Sequence, residues 1–326
     1  MSIASPAARG ASAVECVGGL ADDSASLASA ASQSATAVAA RVCVAVATRG
    51  RPVEVRRLIE RLREQTLRPQ AILIACVDRR DVAGVESDDD VTVLVGPPGL
   101  ARQRNRALAA LPDDCEFVAF FDDDFWPRRD WLAAVVAAFR RDLGLAGVTG
   151  NVVADGILGP GLSYAEAERA VDGATLVSPS WEIDGYSPYG CNMAFRRSAV
   201  AGLAFDERLV LYGWLEDYDF GARVSRSGRL AKLGAAIGAH LGVKRGRVSG
   251  RRLGYSQVMN PFYLRRKGTM SRRAALRQTL RNLCANAAKS LRPEAFIDRR
   301  GRLIGNFIAI ADVIRGRRTP ERAEEL

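Results

Sequence analysis

Between residues 42 and 153 short apolar runs alternate with longer stretches in which apolar residues recur every three or four positions. The runs at 42–47, 71–77, 91–95, 118–121 and 145–153 are nearly unbroken in Val, Ile, Leu, Phe and Ala, which is the pattern of strands buried on both faces. Between them, Val55, Leu58, Ile59 and Leu62 carry a helical spacing through Leu67, Leu100, Ala101, Arg104, Ala107 and Leu108 share one side of a second helix, and residues 131–139 make a third. Pro52 suits the first turn of a helix, where a missing N–H costs nothing, and Gly96-Pro97-Pro98-Gly99 ends the third strand. Strand, helix, strand in about 35 residues reads as a right-handed βαβ unit. The fold class that follows is α/β, a mostly parallel mixed sheet flanked by helices.

Beyond residue 153 the pattern loosens. Residues 154–180 are rich in Gly and Pro and read as a surface crossing, and 190–197 as a turn feeding a short apolar element. Glu216-Asp217 looks like a helix start, and the small residues 233–239 like a strand ending at His240. In 271–291, Leu276, Leu280, Leu283, Ala287 and Leu291 form one helical stripe, with Arg272, Arg273, Arg277, Arg281 and Lys289 elsewhere. Leu303, Phe307, Ile308, Ala311 and Ile314 form a second stripe, followed by Arg315, Arg317 and Arg318. Residues 1–40 are Ala, Ser and Gly with few large apolar groups, too little to offset the entropy of ordering, so disorder is expected there. The chain thus divides into 1–40, a catalytic-type body at 41–240 and a basic helical region at 241–326.

With 326 residues and 48% hydrophobic content the chain can build one large or two modest cores. Its net charge of +10 is unevenly spread. From Leu241 onward there are 21 Lys and Arg against 6 Asp and Glu, a surplus of 15, which leaves the preceding residues at a deficit of 5. An acidic body with a basic tail points to an anionic partner such as a membrane surface, a nucleic acid or a phosphorylated substrate. No run of about 18 apolar residues and no basic-then-apolar secretory leader occurs, so a cytoplasmic protein is expected. Cys16, Cys43, Cys76, Cys115, Cys191 and Cys284 are scattered without a CxxC pair, which argues for reduced thiols over a zinc module or disulfide framework.

The candidate chemistry gathers at strand ends. Val118 to Phe121 run straight into Asp122, Asp123 and Asp124, followed by Phe125-Trp126-Pro127. Ligands bind at that edge of an open α/β sheet, and carboxylates about two residues apart there suit a hard divalent cation such as Mg2+ or Mn2+. A solvated acidic turn, or an Asp capping a helix near Arg128, is the plainer reading. The second strand also ends in a carboxylate, Asp78. Arg102, Arg104 and Arg106 lie near the front of a helix, where one could reach an anion or all could be surface charges. Glu216 is explained by the helix dipole alone, and a lone histidine such as His240 by ordinary packing.

Taken in order, Ala47-Thr48-Arg49, Asp78, Ala101-Arg102, Phe121-Asp122-Asp123-Asp124, Gly190-Cys191-Asn192, Glu216-Asp217 and His240 resemble the motifs of the family-2 glycosyltransferases of the GT-A fold, over about residues 41–240. The resemblance implies an inverting transfer of a sugar from a nucleoside diphosphate sugar, with uridine the family default, to a hydroxyl acceptor, with Mg2+ or Mn2+ on the diphosphate. It implies Asp124 and His240 as metal ligands and Asp122 beside the ribose. Asp123 falls at the family's variable position, leaving open which two of the three bind. It further implies Asp78 at the nucleobase, Thr48 and Arg49 at the lip of the nucleotide pocket, Arg102 near the base or diphosphate, and Asp217 as catalytic base with Glu216 in reserve. Trp214, Tyr218 and Asn192 are acceptor candidates. Many members act on lipid-linked saccharides in cell-surface polysaccharide synthesis, so the basic helices are expected to attach peripherally to an anionic membrane, with packing against the body as the alternative. Lys244 to Arg252 could instead meet the diphosphate. A nucleotidyltransferase would show a Gly-rich phosphate loop where Thr48-Arg49-Gly50-Arg51-Pro52 stands. A nucleic-acid binder fits the acidic body and 7% aromatic content poorly, so no nucleic acid is expected as a partner.

Overall fold

Each of those apolar runs is a strand in the computed structural model of the chain, which describes residues 40–175, 188–245, 248–292 and 294–326. In order come β1 (Val42–Ala47), α1 (Pro52–Arg63), β2 (Ala71–Cys76), β3 (Val91–Val95), α2 (Leu100–Ala109), β4 (Phe117–Asp122), β5 (Phe125–Pro127), α3 (Trp131–Arg141), β6 (Leu145–Asp155), α4 (Tyr164–Asp172), β7 (Asn192–Arg196), α5 (Glu216–Val224), β8 (Arg229–His240), α6 (Gly250–Lys267), α7 (Arg272–Ser290) and α8 (Arg299–Ile314). The expectation for residues 1–40 falls, apart from Ala40, outside the described residues, as do Cys16 and residues 176–180. The other five cysteines are free thiols, four of them buried.

The unbroken apolar runs reflect burial on both faces of one sheet. Val42, Val44, Val46, Ile72, Ile74 and Phe121 point to α1 and α3, where they meet Val55, Leu58, Leu62 and Trp131. The alternate residues Cys43, Ala45, Leu73, Val118 and Phe120 meet α2, Phe195 and Phe220 on the other side. The strand order is β3-β2-β1-β4-β7-β6-β8-β5. β1, β2, β3 and β4 are mutually parallel, β7 runs antiparallel between β4 and β6, β8 is parallel to β6, and β5 is antiparallel to β8. From β1 the order runs outward in two directions, so the carboxyl ends of β1 and β4 flank the point where an open sheet forms its crevice.

Three elements add to the sequence reading. Pro127 does end the apolar run, but only after a three-residue strand, β5, placed at the sheet edge where a proline removes no ladder bond. Within 154–180 lies α4, announced by a capping box: Ser163 Oγ accepts from Glu166 N, and the Glu166 carboxylate accepts from Ser163 N at 2.8 Å. α6 continues through Pro261, whose missing N–H would have bonded Gln257 O; Asn282 Nδ2 reaches that carbonyl instead at 3.5 Å.

Residues 40–326 form one compact unit in which α6, α7 and α8 pack on one another. The α6–α8 crossing is close because Gly254 and Gly305 leave room; a Cβ on either would stand 2.0 Å from a carbonyl oxygen of the other helix. No helix of the described residues is long and apolar enough to cross a membrane.

Candidate active site

The chain bends sharply after β4, and three consecutive carboxylates leave that bend in three directions. Asp122 Oδ1 accepts from Arg104 Nη2 at 3.0 Å. Asp123 turns toward the end of β1, where Thr48 Oγ1 and Arg51 Nη1 each donate to it at 2.7 Å. Asp124 turns to β8, with Oδ1 3.3 Å from His240 Nε2 and Oδ2 accepting from Val243 N at 2.8 Å. The environments differ accordingly. Burial pushes the Asp123 carboxyl up to about 7 although Arg51 opposes it. Burial acts on Asp124 too, but the hydrogen bond and charge of His240, with Arg51, outweigh it and hold that carboxyl near about 2.

His240 is fixed from both sides. β6 and β8 pair so that Asp155 stands opposite His240, and Asp155 Oδ1 lies 3.0 Å from His240 Nδ1. Burial disfavours the imidazolium, yet Asp124 and Asp155 together lift its pKa to about 10. Gly242 makes the next turn at φ 68°, and a Cβ there would sit 2.4 Å from the Gly156 carbonyl carbon, so the two strand ends close tightly over this pair. Asp155 was not singled out from the sequence; only its register opposite His240 marks it.

Two carboxylate oxygens and an imidazole nitrogen, one from each of Asp122, Asp124 and His240, all lie within 4.8 Å of one another. Hard oxygen donors with one imidazole suit Mn2+ or Mg2+. Asp155 on Nδ1 leaves Nε2 facing Asp124, as a metal-ligating histidine requires. The residues present therefore fit a divalent cation, and Asp123, committed to Thr48 and Arg51, is not part of the set.

A second acidic group approaches from α5. Leu215, just before it, adopts a left-handed backbone at φ 72°, as does Leu211 at φ 61°, a strained approach of the kind found where geometry serves function. Glu216 is buried and forms an ion pair with Arg104, which also donates to Gly190 O at 2.7 Å. Asp217 is less enclosed; its Oδ2 accepts from Gly190 N at 2.9 Å and its Oδ1 from Tyr218 N at 2.7 Å. Burial raises Glu216 to about 8 against the pull of Arg104, and burial likewise raises Asp217 against Arg104 and the two backbone N–H groups. Arg104 thus joins Asp122 to the Glu216-Asp217 pair. Among the three arginines of α2 it is the one that reaches the site, and its membership in the apolar side of the helix was the sequence signal.

The remaining candidates are placed as follows. Asp78 caps a short 3-10 turn (Arg79–Val82) and is half-exposed, with its carboxyl held at about 2 by the Arg80 side chain. Arg49 is exposed at the same edge, and Asp81, not singled out beforehand, ties that edge together by accepting from Gly50 N, Val77 N and Asp78 N. Arg102 has its guanidinium 3.6 Å from Glu207. Asn192 is fully buried with Oδ1 accepting from Thr149, which takes it off any open acceptor surface. Tyr218 packs with Leu264 and Met270, and Trp214 is partly buried, its carbonyl accepting from Asn260 Nδ2 at 2.7 Å. Lys244 donates to Gly156 O and Ile157 O and Arg245 to Glu54, while Arg247 lies outside the described residues.

Residues 43–203 match the family model described as Glycosyl transferase family 2. The pre-mycofactocin glycosyltransferases of two strains of Mycobacterium tuberculosis are 37% identical to this chain over 106 residues, 30% of this chain and 21% of theirs, so the match spans about a fifth of the curated relatives' length. Among solved structures, a mannosyltransferase from Pyrobaculum calidifontis in complex with GDP-Man and Mn2+ superposes with a TM-score of 0.52 at 18% identity, over 84% of this chain and 86% of that one. Sequence motif order, sheet topology and these matches agree that the chain has the GT-A fold and that residues 43–203 carry the sequence pattern of glycosyl transferase family 2.

Proposed function

We propose that the protein is a metal-dependent, inverting glycosyltransferase that moves a sugar from a nucleoside diphosphate sugar, of uridine type, to a hydroxyl of a saccharide acceptor. A lipid-linked saccharide of a cell-surface polysaccharide is the acceptor class this reading favours. The observation that carries it is the meeting of two groups through one arginine: the Asp122, Asp124 and His240 donor set on one side of Arg104, and on the other Glu216, which Arg104 binds directly and which precedes Asp217.

In this reading Asp124, His240 and Asp122 hold Mn2+ or Mg2+, which when bound supplies positive charge to the leaving diphosphate. Asp155 holds the His240 ring by Nδ1, so Nε2 is the nitrogen that would meet the cation, whose binding would displace its proton. Asp78, Arg49 and Thr48 line the nucleoside side at the ends of β1 and β2. An acceptor hydroxyl has a pKa far above 7 and must lose its proton as it attacks. Asp217 takes that proton: it is the carboxylate of its pair not committed to an arginine, and two backbone N–H groups fix its orientation. Glu216, bound to Arg104, holds the start of α5 in place. Attack by a single hydroxyl opposite the leaving group inverts the anomeric centre.

A screen of uridine and guanosine diphosphate sugars for turnover with Mn2+ or Mg2+ tests the reading, with Asp124→Ala and Asp217→Asn as controls. Nucleotide-sugar consumption that needs the metal and fails in both variants is expected. Full activity in either variant would overturn the corresponding assignment, and sugar-phosphate uridylylation in place of transfer would favour a nucleotidyltransferase.

A further inference from the structure

We propose that the outward face of α7 is an attachment surface for an anionic lipid bilayer. A packed amphipathic helix normally turns its large apolar residues inward. α7 does the opposite. Its buried positions are Ala275, Thr279 and Asn286, and Asn286 Nδ2 donates to Gln257 Oε1 at 2.8 Å and Asn306 Oδ1 at 2.9 Å. Leu276 and Leu280, the head of the stripe expected from the sequence, are instead 52% and 48% exposed.

Arg273, Leu276, Arg277, Leu280 and Arg281 follow the spacing of one helix face, and all five are exposed. No Asp or Glu occurs from residue 271 to residue 293. Neighbouring α8 likewise exposes Ile304 and Phe307. Arginines alone would fit a nucleic acid and leucines alone a second protein surface. Leucines interleaved with arginines, without any acid, fit the boundary of a bilayer, where guanidinium groups meet lipid phosphates and leucyl methyls reach the acyl region.

The location adds a consequence. Ala275, on the inner side of α7, belongs to one apolar cluster with Leu209, Leu264 and Met270, packed against Leu215 and Tyr218 on either side of the Glu216-Asp217 pair. The bilayer surface would then lie about one helix diameter, roughly 10 Å, from that cluster, and an acceptor carried on a lipid would be presented beside Asp217. That last step rests on the proposed reaction; attachment itself does not.

The test is co-sedimentation of the full chain with phosphatidylcholine vesicles with and without phosphatidylglycerol, at low and high salt. Binding is expected only with phosphatidylglycerol and chiefly at low salt. Replacing both leucines (Leu276→Ser with Leu280→Ser) should lower the partition coefficient about tenfold or more, since their methyls no longer enter the interface. Arg277→Gln and Arg281→Gln should each lower it roughly fivefold. Because these side chains face solvent, thermal melting of each variant should match the parent, which separates lost binding from lost fold. Failure of the parent to bind phosphatidylglycerol vesicles would overturn the proposal. So would undiminished binding by the leucine variant, the mark of a charge-only surface suited to nucleic acid, or conversion of a dimer to a monomer by that variant with vesicle binding unchanged.

Discussion

At the end of β4 three carboxylates in a row are parted by a turn, whereas at the start of α5 two are parted by about 100° of helix. The two places reach a similar division of labour by different local geometry. In each, one buried carboxylate is held by an arginine: Asp123 by the partly buried Arg51, and Glu216 by the buried Arg104. The others meet different partners: Asp124 lies against His240, Asp122 shares Arg104 while standing beside both, and Asp217 accepts from Gly190 N. The difference lies in how the free carboxylates are tuned. Asp124 sits against His240 and is held near about 2, fully ionised and suited to a cation, while Asp217 has no such cationic neighbour at contact and is raised by burial, suited to receiving a proton.

The comparison breaks first at Asp124. If that group holds the cation, Asp124→Ala should lower metal-supported turnover on the order of 10⁴-fold, the rate equivalent of several kcal/mol of charge stabilisation. The variant should also lose the Mn2+-induced rise in melting temperature, a readout that does not depend on turnover. Retained Mn2+ stabilisation would move the ligand role elsewhere in the triplet.

Next in size is the proton acceptor. Asp217→Asn keeps the hydrogen bond from Gly190 N but cannot take a proton, so kcat should fall on the order of 10²- to 10⁴-fold with donor KM little changed. The pH profile supplies the sign. The working form is the carboxylate and burial raises its pKa, so activity should rise with pH through a value above the ordinary carboxylate range and be lost as pH falls below it. An acid limb at an ordinary carboxylate value would argue against Asp217.

Arg104, the link between the clusters, should show itself mainly in stability. Arg104→Met leaves Glu216 buried without its counter-charge and frees Asp122 and Gly190 O. Breaking a buried pair from one side costs about 3–5 kcal/mol, a drop in melting temperature of roughly 10 °C for a unit of this size. The double variant Arg104→Met with Glu216→Gln should recover part of that loss, because the buried Glu216 position then carries no uncompensated charge. Recovery of stability without recovery of turnover would mark Arg104 as a positioning residue for both clusters.

Much of the parallel half of the sheet could be read from the sequence because its strands are buried on both faces and thus written as unbroken apolar runs. The strand-end position of Asp122 to Asp124 and the helix-start position of Glu216 and Asp217 were legible for the same local reasons. What was hidden depends on partners far along the chain. Arg104 differs from Arg102 and Arg106 in sequence only by sharing the apolar side of its helix, and what it reaches there includes a carboxylate 112 residues away. Asp155 matters through its register opposite His240. The facing of α7 was hidden because its inner side is satisfied by amide hydrogen bonds that Asn286 donates to α6 and α8 rather than by its leucines.

The smallest expected effect sharpens the parallel between Asp123 and Glu216. Asp123→Asn removes the charge opposite Arg51 but preserves an oxygen for Thr48 Oγ1, and Arg51 keeps the carbonyls of Val243 and Arg245 together with Asp124 at 3.4 Å. A partner network this redundant should limit the loss to about 1–3 kcal/mol of stability, the range for one charge-assisted hydrogen bond. Turnover should fall less than about tenfold, since the donor set of Asp122, Asp124 and His240 stays intact. Titration of Mn2+ against the variant, read by melting temperature, decides the point. Unchanged affinity assigns Asp123 the same structural part that Glu216 plays at α5, and loss of Mn2+ binding would place Asp123 among the ligands.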